Sequence, residues 1–172
     1  MITHILRFEL RYWLKAMMVW VFLLILGAMV FGATSSDQIT IGNALENTFR
    51  NAPYVIQNFY SFMGLMSMLM TTAFVNSAAA RDFQYGTQQI LFSTPVRKRD
   101  FLLGRYAGAA IVSVIPMLGI SLGIILAAYM PWVDAERFGP IVWAAHLKGI
   151  LVFAVPNTLL LGAIIFCIAA LT

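Results

Sequence analysis

Four stretches of this chain are apolar for about 20 residues at a time. That is the length an α-helix needs to cross the roughly 30 Å hydrocarbon core of a bilayer. The stretches lie near residues 13–31, 59–80, 102–130 and 149–171. None alternates between polar and apolar residues with the period of two that a membrane-spanning strand shows. The sequence therefore predicts a single all-α domain, residues 1–172, built as a polytopic transmembrane helix bundle of about four spans.

The composition supports a protein that has lipid for part of its solvent. Hydrophobic residues make up 61% of the chain and charged residues 10%, against about 45–50% and about 25% in soluble domains. Because a surface that faces water needs more charges than this, the lipid bilayer is an expected partner. The basic residues collect at the predicted membrane edges and form no basic face, so no nucleic-acid partner is expected.

The positions of lysine and arginine predict the orientation, because these residues are enriched in cytoplasmic segments. Eight of the 11 lie in the N-terminal segment, residues 1–15, or in the segment 81–105. They are Arg7, Arg11, Lys15, Arg81, Arg97, Lys98, Arg99 and Arg105. Both termini are therefore predicted to be cytoplasmic, with residues 34–58 and 131–148 outside. The outer segments hold the other three, Arg50, Arg137 and Lys148. Lys148 lies at a helix end, from which a lysine can extend its ammonium group to the interface.

The N-terminal segment, residues 1–15, is predicted to form an interfacial amphipathic helix. Its apolar residues recur at helical spacing, with a basic stripe opposite. The apolar set is Ile2, Ile5, Leu6, Leu10 and Trp13, and the basic stripe is Arg7, Arg11 and Lys15. Such a helix would lie on the cytoplasmic leaflet with its cations towards the lipid headgroups. The alternative is a plain basic flank with accidental periodicity.

Several residues inside the predicted spans bear on packing. Gly104 with Gly108, and Gly119 with Gly123, form GxxxG pairs that permit close approach of helices. Pro116 and Pro156 should kink the third and fourth spans. Polar side chains are expected either to hydrogen-bond between helices or to freed backbone, or to contact a cargo or water path. They are Asn76, Ser77, Ser113, Asn157 and Thr158.

The chemistry of enzymes and ion-coupled carriers is not predicted here. The predicted spans carry no well-buried charge, which argues against an ion-coupled secondary transporter. His4 and His146 lie at opposite ends of the predicted topology and cannot share a metal. No serine is expected to pair with a base, and no hydrolase or phosphate-loop motif occurs. The sequence therefore predicts a protein that is not an enzyme and binds no metal or cofactor directly.

The segment between the second and third spans, residues 81–105, carries the most information. Gly86 allows a bend, Thr87 can cap a helix over residues 88–92, and Pro95 ends it. A helix of one to two turns does not hold itself together in water. It is therefore predicted to dock on another surface.

This segment resembles the first cytoplasmic loop of ABC-2 type transporter permeases. The matching residues are Arg81, Asp82, Gly86, Thr87, Gln88, Gln89, Ile90, Leu91, Thr94, Pro95, Val96, Arg97, Lys98, Arg99, Gly104 and Arg105. Two positions depart from the family pattern, since Ala80 replaces its first acidic residue and Arg105 its closing lysine. The N-terminal helix and the order of the spans extend the resemblance over the chain.

The resemblance implies a membrane subunit that couples ATP hydrolysis by a separate cytoplasmic ABC ATPase to export across a prokaryotic plasma (inner) membrane. ATP would act through that partner, and a second permease subunit, identical or different, would complete the transporter. The loop helix would be the coupling helix, with Arg81 and Asp82 pinning the loop to the second span. The implied coupling residues are Arg81, Asp82, Phe83, Gln84, Tyr85, Gly86, Thr87, Gln88, Gln89, Ile90, Leu91 and Phe92.

Two further expectations come from the resemblance. The family unit has six spans, so four spans imply the N-terminal portion of a truncated unit. Residues 33–37 and 51–56 resemble a subgroup whose longer members carry a C-terminal M1-type aminopeptidase-like domain. The competing hypothesis is a non-transport scaffold or assembly subunit that uses the same loop to recruit a cytoplasmic partner.

Overall fold

A computed structural model of the chain describes residues 2–36, 48–87, 89, 93 and 97–171. Within these residues it contains helices and turns and no strand. The α-helices are α1 Ile2–Lys15, α2 Met17–Ser35, α3 Pro53–Gln84, α4 Lys98–Val114, α5 Leu118–Ala128, α6 Trp143–Lys148 and α7 Val155–Leu171. A short 3-10 turn also occurs at Ala135–Arg137.

Four helical segments are long and apolar enough to cross a membrane: Met17–Ser35, Pro53–Gln84, Lys98–Ala128 and Trp143–Ala170. The predicted all-α bundle of about four spans is therefore confirmed, and the chain is an integral membrane protein. The core lies where α3 packs between α7 and α4, and where α2 packs along α5. Its largest enclosed side chains include Tyr60, Phe74 and Leu26.

The helices begin and end at different residues from the predicted spans. Ala16 has extended backbone angles, φ −74° and ψ 125°, so the helix breaks there and Trp13 belongs to α1. α3 starts with Pro53 at its first position, where a missing N–H costs nothing. It also continues through Arg81 and Asp82. The apolar stretches predicted from the sequence mark only the part of each helix that suits the hydrocarbon core. The helix itself continues until a residue breaks or caps it.

The fourth span also begins earlier than predicted. It starts at Trp143 and includes His146, which was predicted to lie in the outer segment 131–148. His146 is buried in the bundle. The His146 ring makes a hydrogen bond inside the protein, so this polar side chain can be buried at the end of the helix.

Both predicted proline kinks coincide with a change of helix type. Pro116 lies in the 3-10 turn Ile115–Met117 that joins α4 to α5. Pro156 follows the π-helical stretch Gly149–Ala154, which joins α6 to α7. Proline lacks an N–H and its ring crowds the carbonyl four residues earlier, so regular α-helical geometry is lost at such positions.

Both GxxxG pairs let helices approach each other closely, as predicted. A Cβ added to Gly119 would lie 2.4 Å from the Leu23 carbonyl oxygen of α2, and one added to Gly123 would lie 2.5 Å from that of Gly27. Gly104 and Gly108 instead make room for α1, with Ile5 and Glu9 against them. Close packing of this kind replaces the hydrophobic driving force that is missing between helices in lipid.

At the far end of the bundle, the Asn51 side chain joins two chain segments that are distant in sequence. Its amide nitrogen donates to the Gly139 carbonyl oxygen at 2.6 Å, and its oxygen accepts from the Gly139 N–H at 2.8 Å. The backbone N–H of Arg50 donates to the Arg137 carbonyl oxygen at 2.9 Å. This pairing holds the start of α3 against the segment that precedes α6.

Replacing Asn51 with alanine is expected to lower the free energy of unfolding by about 2 kcal/mol, because two hydrogen bonds are lost and buried groups are left unpaired. SDS titration of the purified protein would measure it. Asn58→Ala on the same helix is the matched control, since Asn58 is half-buried and no hydrogen bond to its side chain is seen among the described residues. Equal effects of the two substitutions would contradict the role assigned to Asn51.

A buried ion cluster as the candidate functional site

Four charged side chains from three helices meet at the end of the bundle where α3 stops and α4 begins. Glu9 comes from α1, Arg81 and Asp82 from the last turn of α3, and Arg105 from the second turn of α4. Gly108 lets α1 approach α4 at this point, because a Cβ there would lie 2.5 Å from the Glu9 Cβ. These four residues are called the ion cluster below.

The ion cluster is linked by charge-assisted hydrogen bonds. Arg81 Nη2 donates to Glu9 Oε1, and Arg105 Nε lies 3.2 Å from the same oxygen. Arg105 Nη1 and Nη2 each lie 2.7 Å from an Asp82 carboxylate oxygen. Arg105 Nη1 also donates to the Ala78 carbonyl oxygen at 3.0 Å. The paired contacts between Arg105 and Asp82 have the two-pronged geometry that makes arginine–carboxylate pairs strong.

The ion cluster is almost closed to solvent. The side chains of Glu9, Arg81, Arg105 and Asp82 are 1%, 8%, 7% and 14% exposed. Charges at this depth are tolerated only when they are paired, and here two cations face two anions. The prediction that the spans carry no well-buried charge is wrong for the helices as they stand. α3 extends beyond its apolar stretch and buries Arg81, and Arg105 is buried near the start of α4.

Aromatic rings cover both guanidinium groups. The Arg81 Cζ atom lies 4.2 Å from the centre of the Tyr12 ring, and the Arg105 Cζ atom lies 4.8 Å from that of the Phe101 ring. The face of an aromatic ring attracts a cation and keeps water away from it. The rings therefore strengthen the ion pairs and fix the directions of both arginines.

Three buried polar atoms in and beside the ion cluster have no hydrogen-bond partner within the described part of the chain. They are Glu9 Oε2, Arg81 Nη1 and Trp13 Nε1. Each such atom costs about 1–3 kcal/mol. The ion cluster is therefore held by opposite charges and by the surrounding packing, without complete hydrogen bonding.

The predicted coupling residues divide into a buried and an exposed group. Arg81 and Asp82 belong to the ion cluster, and Thr87 donates its backbone N–H to the Asp82 carbonyl oxygen at 3.0 Å. Gly86 has φ +66°, the left-handed conformation that suits the predicted bend. The exposed members are Phe83, Gln84, Tyr85, Gly86, Thr87 and Gln89. Gln88, Ile90, Leu91 and Phe92, and with them most of the predicted loop helix, lie outside the described residues.

Glu9 was not among the residues predicted from the sequence to form the site. It lies four residues after Ile5 and four before Trp13, in the middle of the side of α1 that was assigned as apolar. A carboxylate in that position is a signal that the helix packs against a cation of its own protein. The basic stripe of Arg7, Arg11 and Lys15 is exposed, as expected for the opposite side.

A second polar cluster lies towards the other end of the bundle. The Tyr60 hydroxyl and the Ser121 hydroxyl are 2.7 Å apart, and His146 Nδ1 lies 2.9 Å from Ser121 Oγ. The prediction that no serine pairs with a base is therefore wrong. All three side chains are buried, and Ser121 Oγ has a partner on each side. This cluster joins α3, α5 and α6. Beside it, the backbone of Gly149 packs closely against the Tyr60 ring.

Over residues 2–36, 48–87 and 97–171, no group of three or more His, Cys, Asp or Glu side chains is arranged to hold a metal ion. No protein-family model, curated protein or solved structure matches the chain. A functional assignment therefore depends on the motif residues between the second and third spans and on the contacts around them.

Proposed function

We propose that the chain is a membrane-spanning permease subunit of an ATP-binding cassette transporter. In this proposal a separate cytoplasmic ATPase hydrolyses ATP, and the permease uses that motion to export a substrate. The observation that carries the proposal is the ion cluster. It joins the residues on the two sides of the segment whose motifs resemble the coupling loop of ABC-2 permeases.

The Asp82–Arg105 pair closes the base of that segment. Asp82 lies in the last turn of α3, and Arg105 lies in α4. Their double contact ties the end of α3 to the start of α4. A force applied to the loop would therefore act on both spans together, which is what coupling to a partner requires.

Glu9 extends the same connection to α1. It pairs with Arg81 on one side of the loop and with Arg105 on the other. The N-terminal helix is thus tied to both flanks of the loop, and its basic stripe is left exposed. In the proposal this stripe meets the headgroups of the cytoplasmic leaflet, and both termini are cytoplasmic.

Exposed aromatic side chains at the start of the loop support a docking role. Phe83 and Tyr85 are 60% and 70% exposed, on either side of the end of α3. Exposed aromatic residues that are anchored on a rigid element are frequent in protein interfaces. We propose that they fill a groove in the ATPase, with Ile90, Leu91 and Phe92 as further apolar contacts and Gln84, Gln88 and Gln89 as polar ones.

Deletion of residues 88–91, or the double substitution Phe83→Ala/Tyr85→Ala, is expected to abolish copurification of an ATPase. The physical reason is the loss of the docking surface while the ion cluster stays intact. The ATPase would be identified by mass spectrometry as a protein with a GxxxxGK[ST] phosphate loop. Tyr129→Ala is the matched control, because Tyr129 is 71% exposed but lies at the opposite end of the bundle.

Membrane insertion should be unchanged in all of these variants. Retention of the ATPase by the loop variants would contradict the proposed docking. Recovery of a partner without a phosphate loop would favour the scaffold hypothesis instead.

A further inference from the structure

The second polar cluster, formed by Tyr60, Ser121 and His146 and called the histidine cluster below, contains two side-chain contacts. The Tyr60 and Ser121 hydroxyl oxygens are 2.7 Å apart, and His146 Nδ1 lies 2.9 Å from Ser121 Oγ. Ser113 and Thr158 donate to carbonyl oxygens of their own helices. Within the described part of the chain, the Ser121 hydroxyl has only its two cluster partners. All three members are buried, so each depends on the others for hydrogen bonding.

The number of hydrogen atoms in the histidine cluster depends on the protonation of His146. Tyr60 and Ser121 each carry one hydroxyl hydrogen, and each of the two contacts needs one hydrogen between its atoms. When Nδ1 of a neutral His146 carries no hydrogen, Tyr60 donates to Ser121 and Ser121 donates to Nδ1, so every donor is paired. An imidazolium carries hydrogen on both nitrogens, so three hydrogens then share two contacts. One buried donor is left without an acceptor, which destabilises the cluster.

A protonated His146 would also be a buried charge without an anion beside it. From α3 the titratable group at the histidine cluster is Tyr60, and neither α5 nor the π-helical stretch Gly149–Ala154 contains a titratable residue. Lys148 on α6 itself is a cation and is exposed. The segment before α6 carries three exposed charged residues, Asp134, Glu136 and Arg137. No carboxylate pairs with His146 over residues 2–36, 48–87 and 97–171, so its charge would weaken the surrounding packing.

The helix that carries His146 is joined to the rest of the fourth span by an irregular stretch. α6 ends at Lys148, and the π-helical stretch Gly149–Ala154 leads into α7 and Pro156. Such π-helical turns are frequent at functional sites. Pro156 has no N–H to donate back to that stretch. α6 can therefore move away from α3 and α5 while α7 stays in place.

We propose that His146 is a proton-binding switch that holds α6 in place when neutral and releases it when protonated. A proton from water adds to the Nδ1 lone pair, the hydrogen bond from Ser121 breaks, and α6 separates from α3 and α5. Histidine changes charge between about pH 5 and pH 8, so α6 is attached near pH 8 and released towards pH 5. Trp143, at the start of α6, is 64% exposed and places the switch near the surface. The switch depends on the histidine cluster alone and holds whether or not the chain binds an ATPase.

Thiol labelling of the purified protein measures the release of α6. Cys167 is the single cysteine of the chain, so Cys167→Ser gives a background without thiols. In that background, Ala145→Cys places a thiol at a position of α6 that is 3% exposed. Its rate of reaction with a water-soluble maleimide is divided by that of Tyr129→Cys, at a position that is 71% exposed, because the reaction itself depends on pH. The ratio is expected to rise about tenfold from pH 8 to pH 5, since one unpaired buried donor has about that effect on an equilibrium.

His146→Asn is the matched variant for the switch. The asparagine oxygen can accept the Ser121 hydrogen near the position of Nδ1, and it takes up no proton in this pH range. In this variant the labelling ratio should be the same at pH 5 and pH 8.

Two measurements need no new cysteine. The ring centres of Trp143 and His146 are 6.2 Å apart, and an imidazolium quenches the fluorescence of a neighbouring indole. The emission is expected to fall from pH 8 to pH 5 in the wild-type protein and to stay constant in Trp143→Phe. SDS titration should show a larger loss of stability over the same range in the wild-type protein than in His146→Asn.

An equal rise of the labelling ratio in His146→Asn would overturn the proposal, because the release would not need the imidazole. A constant ratio in the wild-type protein would overturn it as well. If the emission fell in that case, His146 would bind a proton without releasing α6, and if the emission were also constant, His146 would not bind a proton. Should Ala145→Cys fail to fold, equal losses of stability in the wild-type protein and His146→Asn would have the same consequence.

Discussion

Replacing Glu9 with alanine is expected to lower the free energy of unfolding by about 3–5 kcal/mol, the cost of removing one partner from a buried ion pair. Glu9 is 1% exposed and is the only acidic side chain that touches Arg81 among the described residues. Without it, Arg81 would have no acidic partner among the described residues, and Arg105 would keep only Asp82. SDS titration of the purified protein would measure the change.

Glu136→Ala is the control for Glu9→Ala. Glu136 is exposed in the segment that precedes α6, far from the ion cluster. This substitution should change the free energy of unfolding by less than about 0.5 kcal/mol, as surface substitutions usually do. The double variant Glu9→Ala/Arg81→Ala should be less unstable than the sum of its single substitutions, because it removes both members of a contacting pair. Additive effects would contradict direct pairing.

The second large effect is expected at the contact between α2 and α5. Gly119→Ala and Gly123→Ala should each lower the free energy of unfolding by about 1–3 kcal/mol, the usual cost of overpacking. The added methyl groups would meet backbone oxygens of Leu23 and Gly27 at 2.4 and 2.5 Å. A backbone atom cannot rotate away as a side chain can, so the two helices must separate.

Gly32→Ala in α2 is the matched control for this contact. No atom lies within 4 Å of a Cβ added at Gly32. Because alanine restricts the unfolded chain more than glycine does, this substitution should be neutral or stabilise the helix by about 0.5–1 kcal/mol. If Gly119→Ala behaved like Gly32→Ala, α2 and α5 would not be in the close contact described here.

The number and type of the membrane spans could be predicted because they follow from local properties. An apolar stretch of sufficient length has few alternatives to a spanning helix. The ends of the helices could not be predicted in the same way. Arg81 and Arg105 are buried in α3 and α4 because partners from other helices neutralise them. Glu9 pairs with both arginines and Asp82 pairs with Arg105, and each partner is distant in sequence from the arginine it neutralises.

Only the part of the candidate site that belongs to the loop was predicted from the sequence. The motif residues Arg81, Asp82 and Gly86 were identified from the loop itself, whereas Glu9 was overlooked because amphipathic spacing assigned its side of α1 to lipid. The pairing of Ser121 with His146 was also missed. Residues 121 and 146 come together only when α5 and α6 pack against α3, and no local pattern contains that information.

ATP hydrolysis by the reconstituted pair tests whether the chain is coupled to an ATPase. The chain would be placed in proteoliposomes with the phosphate-loop ATPase that copurifies with it. The wild-type chain is expected to change the rate of ATP hydrolysis, and deletion of residues 88–91 should return it to the rate of the ATPase alone. An ATPase whose hydrolysis rate is the same with the wild-type chain, the deletion variant and empty liposomes would contradict the proposed coupling.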